Sequence, residues 1–224
     1  MGSPGELTRQ YYQQGIDEII FMDVVASLYG RNNILSVVED AARDVFVPMT
    51  VGGGIRSIDD IVAVLRSGAD KVAINTEAIK RPQFLRVASE TFGGQCIVLS
   101  IEAKRRDGEG WEAFTDNGRE RTGVDVLDWV REAEDLGVGE IQVTSVDQEG
   151  TRKGFDLELV KQVRDRVTVP VVACGGAGKP DHLSELFTAT DVDAVGCASL
   201  FHYDICPIPE LKKVLANGGQ AVRL

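Results

Sequence analysis

Two glycine-rich stretches carry the residue types best suited to chemistry. Val47-Pro48-Met49-Thr50-Val51-Gly52-Gly53-Gly54-Ile55-Arg56 reads as a buried strand running into three glycines, followed by a helix opened by Ser57-Ile58-Asp59-Asp60. A serine cap with acids in the first turn is a helix-start signal. The glycines let the backbone approach a ligand closely, and its N–H groups, aided by the helix's positive end, can bind an anion. One such turn is equally well read as a tight turn and no more. The plan recurs, however, in Val167-Thr168-Val169-Pro170-Val171-Val172-Ala173-Cys174-Gly175-Gly176-Ala177-Gly178-Lys179, with both Pro48 to Pro170 and Gly53 to Gly175 spaced by 122 residues. A small polar pair follows each turn, Asn75-Thr76 and Ala198-Ser199, 123 apart. Two quasi-equivalent anion sites built from neutral donors suit a substrate with a phosphate at each end. Glu102 is the candidate for acid–base work. It ends an apolar run, and partial desolvation raises a carboxyl's pKa toward the range useful for proton transfer. The competing reading is a carboxylate bonded to Lys104 or another neighbour. Asp23, Asp147 and Glu149 are weaker candidates.

The elements that must position these residues form an internal duplication. Gly15-Ile16-Asp17-Glu18-Ile19 matches Gly137-Val138-Gly139-Glu140-Ile141, again 122 apart. Apolar strand-like runs at 18–23, 45–51, 70–75, 95–101, 140–145, 167–174 and 194–199 alternate with helical patterns or long loops. A break is expected near Pro82, and a hairpin from Gly110-Trp111-Glu112 to Asp116-Asn117-Gly118. Seven strands with a two-fold repeat predict an α/β fold, a (β/α)8 TIM barrel of two duplicated halves forming a single domain over 1–224. The repeat places the partner of strand 95–101 about twenty residues before Met1, so the first strand of the barrel is expected to be missing. A doubly wound open sheet is the alternative; the duplication and the lack of a G-x-G-x-x-G unit count against it.

Composition narrows the function classes. The chain has 224 residues, 43% hydrophobic and 26% charged, with net charge −11, which argues against nucleic acid or an anionic membrane surface as a partner. No signal-peptide pattern opens the chain, and no apolar run approaches membrane-spanning length. Cys96, Cys174, Cys197 and Cys206 show no C-x-x-C spacing and are expected to be reduced, mostly buried thiols of a cytoplasmic protein. With His182 and His202 the only histidines, no metal is expected, and no cofactor.

These motifs carry a resemblance. Thr50 to Arg56, Gly68 to Thr76, Trp111 with Gly118, Gly139-Glu140-Ile141, Thr144 to Thr151, Gly175 to Gly178 and Ala198 to His202 together resemble the cyclase subunit of imidazole glycerol phosphate synthase, over essentially the whole chain. The resemblance implies a lyase of histidine biosynthesis. Such a subunit takes ammonia from a partner glutaminase along the barrel axis. It adds the ammonia to a bis-phosphorylated aminoimidazole carboxamide ribonucleotide. By the same resemblance the substrate phosphates would lie at Gly54, Asn75 and Thr76 in one half and at Gly150, Gly176, Ala198 and Ser199 in the other. Glu18, Lys71 and Glu140 match three charged gate residues at the barrel's bottom. Glu102 stands where the family has a catalytic aspartate, and the family's other catalytic aspartate belongs to the strand expected to be missing. The Glu102 departure leaves two other readings: a paralogue that delivers ammonia for amidation of a surface sugar, and a non-catalytic phosphate-binding scaffold.

Overall fold

The computed structural model describes residues 3–23 and 34–223; the connection read at 24–33 lies outside them. Seven short parallel strands form the wall. They are β1 (Ile19–Met22), β2 (Met49–Gly52), β3 (Lys71–Ile74), β4 (Ile97–Arg105), β7 (Glu140–Ser145), β8 (Val171–Cys174) and β9 (Ala194–Gly196), paired in that order. The described α-helices that flank and connect them are α1 (Pro4–Gln13), α2 (Ile34–Ala41), α3 (Ile58–Arg66), α4 (Thr76–Lys80), α5 (Gln83–Phe92), α6 (Val126–Asp135), α7 (Leu157–Arg164), α8 (Pro180–Ala189), α9 (Ser199–His202) and α10 (Ile208–Asn217). This is a nearly closed parallel α/β barrel of the TIM type. At the seam, a Cβ added to Gly196 in β9 would lie 3.8 Å from Ile20 Cδ1 in β1.

The duplication is written into the hydrogen-bond register. β1 pairs β2 as Ile19↔Met49, and β7 pairs β8 as Ile141↔Val171, with both members displaced by 122. β2 pairs β3 as Thr50↔Lys71, and β8 pairs β9 as Val172↔Ala194, displaced by 122 and 123. Side chains alternate along each strand. Met49, Val51, Val72, Ile74, Ile97, Leu99, Ile141, Val143, Val171 and Ala173 belong to the apolar layer beneath the helices. The intervening positions face the barrel interior, where Thr50, Ser100 and Gln142 are buried polar residues. Burial of each large aliphatic side chain in the outer layer contributes about 1.5–3 kcal/mol. The helices are amphipathic to match, and α3 begins with the expected cap: Ser57 accepts from Asp60 N while the Asp60 carboxylate accepts from Ser57 N.

The structure departs from the sequence reading in three places. The hairpin expected from 110–112 to 116–118 is present, but strand extends beyond it into the rest of the polar segment 104–121, which carries no apolar strand pattern. β4 runs on to Arg105 and turns into an antiparallel hairpin, β5 (Trp111–Thr115) with β6 (Glu120–Asp125), so the chain has nine strands among the described residues. Buried Trp111 and Phe114 anchor this hairpin. Second, β9 stops at Gly196, and Ser199 opens α9 instead of ending the strand. Thr76 likewise opens α4, so each half places a short helix directly after its polar pair. The break near Pro82 separates α4 from α5, as read. Third, only Cys206 of the four free cysteines is buried; the other three are half-buried.

Candidate active site

The barrel's floor is held by charge. Glu18 immediately precedes β1, while Lys71 and Glu140 open β3 and β7. Lys71 Nζ donates to Glu140 Oε2 at 2.6 Å and to Glu18 Oε2 at 3.1 Å, so one ammonium ties together strands on different sides of the lumen. Burial by itself would lower the Lys71 pKa; the two carboxylates outweigh it and hold the group above its ordinary value. The three residues proposed from the sequence as a gate are therefore in contact.

At the opposite rim a cavity of about 240 Å³ opens beyond the ends of β1 to β4. Its lining includes Gly54, Asn75 and Thr76 from the first-half anion set, together with Glu102, Arg56 and Lys80. Gly53 and Gly54 have φ of +101° and +73°, a left-handed turn that only glycine adopts without strain. A Cβ on Gly53 would lie 2.3 Å from the Asp23 carbonyl oxygen. The turn is thus fixed by close packing against the end of the preceding strand.

Glu102 projects into this cavity from β4. Its Oε2 accepts from Asn75 Nδ2 at 3.0 Å and from Gly118 N at 2.9 Å. Burial pushes its pKa up, the two hydrogen bonds pull it partly back, and the nearby Asp116 charge raises it again; the net direction is upward. Lys104 is not its partner, since that ammonium lies over the Phe114 ring, 5.4 Å from the centroid. Asn75 Nδ2 also donates to the Phe114 carbonyl at 3.2 Å, while Asn75 Oδ1 is buried with no partner. The Asn75 amide thus faces Glu102 and the hairpin.

The second-half set sits on the same rim, because β8 and β9 run parallel to β2 and β3. Gly175 and Gly176 repeat the left-handed turn with φ of +91° and +108°. Gly176 is buried, and its carbonyl accepts from Gly154 N at 2.9 Å. Gly150, on the loop that covers it, and Ala198 are exposed, whereas Ser199 is half-buried. None of these four lines the 240 Å³ cavity. Asp147 accepts from Arg105 N at 2.8 Å and so fastens the loop. Although the residues as wholes are half-buried, desolvation around their sulfur atoms pushes the Cys174 and Cys197 thiols up to about 12, so neither supplies a thiolate near neutral pH. Among the described residues no group of three or more His, Cys, Asp or Glu is placed to hold a metal ion. No helix there is long and apolar enough to cross a membrane.

A family model described as "Histidine biosynthesis protein" matches residues 1–207. The chain belongs to the histidine biosynthesis protein family. Within that family it is 61% identical over 179 residues to the imidazole glycerol phosphate synthase subunit HisF of Legionella pneumophila, a match covering 80% of this chain and 84% of that protein. The same-named subunit of Clostridium botulinum (strain Okra / Type B1) is 44% identical over 225 residues, covering all of this chain and 89% of that protein. Sequence reasoning missed several lining residues of this family member: Met22, Arg56, Lys80, Ser100, Asp116 and Asn117. Arg56 had a signal, since it directly follows the glycine turn. Asp116 and Asn117 were read only as part of a hairpin, and nothing in the sequence ties that hairpin to Glu102.

Proposed function

We propose that this chain is the ammonia-using, cyclase-type subunit of an imidazole glycerol phosphate synthase, a lyase of histidine biosynthesis acting as one barrel domain in the cytoplasm beside a glutaminase subunit. The observation that carries the reading is the single cavity joining the Gly54–Asn75–Thr76 anion corner to the desolvated Glu102, above a lumen floored by Lys71, Glu18 and Glu140. The names of the relatives support it. Ammonia released by the partner would enter past the floor and meet the acceptor at the rim. The cavity's 240 Å³ is below the roughly 300–1,000 Å³ of sites that enclose a whole drug-sized ligand. It therefore takes one phosphorylated end of the acceptor. The other end reaches toward Gly150, Gly176, Ala198 and Ser199 on the same rim.

Neutral N–H donors, with Arg56 and Lys80 beside them in the lining, let a chain of net charge −11 bind a polyanion. Glu102 supplies the proton-transfer group. Its extra methylene relative to an aspartate moves the carboxyl by about an ångström, a displacement that costs on the order of 100-fold in rate. The test is formation of imidazole glycerol phosphate by the purified chain from the bis-phosphorylated ribonucleotide and ammonium chloride, without glutaminase. Turnover that is slow but linear in enzyme is expected. No product, in a preparation that binds the ribonucleotide, would refute the cyclase reading and leave amidation of another acceptor.

A further inference from the structure

The hairpin places a second carboxyl in the same cavity as Glu102. Its turn, Asp116-Asn117-Gly118, has φ of +52°, +56° and +74°, and it follows β5, which runs back along β4 until Phe114 pairs with Glu102. Gly118 N then donates to Glu102 Oε2 at 2.9 Å. Asp116 and Asn117 line the cavity together with Glu102, Gly54 and Thr76. Two carboxyls, one from β4 and one from the hairpin turn, thus line the same space as the anion corner. Of the cavity's other acids, Glu77 is paired with Arg81, and Asp23 lies at the end of β1, where its carbonyl packs on Gly53.

We propose that Asp116 is a catalytic residue of this site, acting with Glu102 as an acid–base pair in which Glu102 gives a proton and Asp116 takes one. The proposal rests on the ammonia-addition reading and deepens it. Ammonia attacks a carbonyl carbon of the acceptor; the N–C bond forms and the C=O π pair moves onto oxygen. Glu102 gives its proton to that oxygen, and Asp116 removes one from nitrogen. The result is a neutral amino alcohol, with Glu102 ionised and Asp116 protonated. Return of the proton from Asp116 to Glu102 resets the pair. The division of roles follows from environment: Glu102 is the desolvated member, and the Asp116 charge further favours its protonated form. The remaining charged groups facing the cavity are Arg56, Lys80, Asp23 and Glu77.

The test is Asp116→Asn, with Asp116→Gly as a second variant. Both residues tolerate positive φ, so the turn is retained. With ammonium chloride and the ribonucleotide, kcat is expected to fall about 100-fold with KM within twofold. The Glu102 carboxyl, followed by 13C NMR, is expected to titrate at lower pH in both variants than in the wild type. A kcat within threefold of wild type overturns the proposal, and so does an unmoved Glu102 titration. If the wild type itself gives no product, the cyclase reading fails separately. The NMR titration then tests the charge coupling of the two carboxyls by itself: a downward shift in the variants upholds that coupling, and no shift overturns the pair.

Discussion

At the scale of single residues, Glu102 shows why burial and hydrogen bonding must be weighed together. Two donors reach one of its oxygens, yet desolvation dominates and its folded-state pKa lies above the ordinary 4.5. A carboxyl raised in this way binds its proton more tightly in the folded chain. Its contribution to stability is complete below pH 4.5 and is lost as pH rises through the folded-state pKa. Glu102→Gln removes the ionisation while keeping an oxygen to accept from Gly118 N. Thermal melts should show the variant melting higher than wild type at pH 8 and level with it at pH 4. Its ammonium-dependent kcat should drop by about 10²–10⁴-fold, the usual cost of losing a general acid. Glu102 was legible in the sequence because an acid closing an apolar strand is conspicuous. Its partners were not, since Asn75 is 27 residues away and Gly118 is 16.

At the scale of elements, the glycine corners do two jobs. The first-half turn lines the cavity. Its second-half counterpart has the same backbone but lies beneath the loop 147–154, and a Cβ on Gly176 would fall 1.9 Å from the Gly154 carbonyl oxygen. Backbone cannot yield cheaply there, and φ of +108° strains any other residue. Gly176→Ala should therefore destabilise by about 2–4 kcal/mol, a fall of roughly 5–15 °C in Tm for a chain of this size. Gly108, whose added Cβ meets open space at an ordinary φ, is the control. Gly108→Ala should stay within about 0.5 kcal/mol of wild type by urea denaturation. The hairpin was legible as a turn-containing segment, but its extent and its pairing with β4 were not. Its charged positions follow no clean alternation: Glu112 is buried because it accepts from Thr122 N, Gly123 N and Arg121, a tertiary arrangement across a bulge.

At the scale of the whole molecule, the floor and the rim lie at opposite ends of the wall, and the proposed ammonia route couples them. Lys71→Met should expose that coupling. Glutaminase-supported turnover is expected to fall at least tenfold, while turnover with ammonium chloride stays within threefold. Equal losses in the two assays would argue against a gate. The same change leaves the mostly buried Glu140 carboxylate without its cation, so Tm should fall, and adding Glu140→Gln should recover part of the loss.

The sequence by itself determined the doubled barrel, the paired glycine corners and the three charges of the floor. Repeat spacing and strand-end position are properties of the chain's order, and the registers repeat at the same 122 residues. Only the tertiary structure decided which of those residues share a cavity. Side-by-side pairing of β2, β3 and β4, with the hairpin folded back along β4, brings the first-half corner, Glu102 and the hairpin turn together, while a loop covers the second-half glycine. Such meetings depend on where folded elements pack in space, which spacing along the chain does not encode.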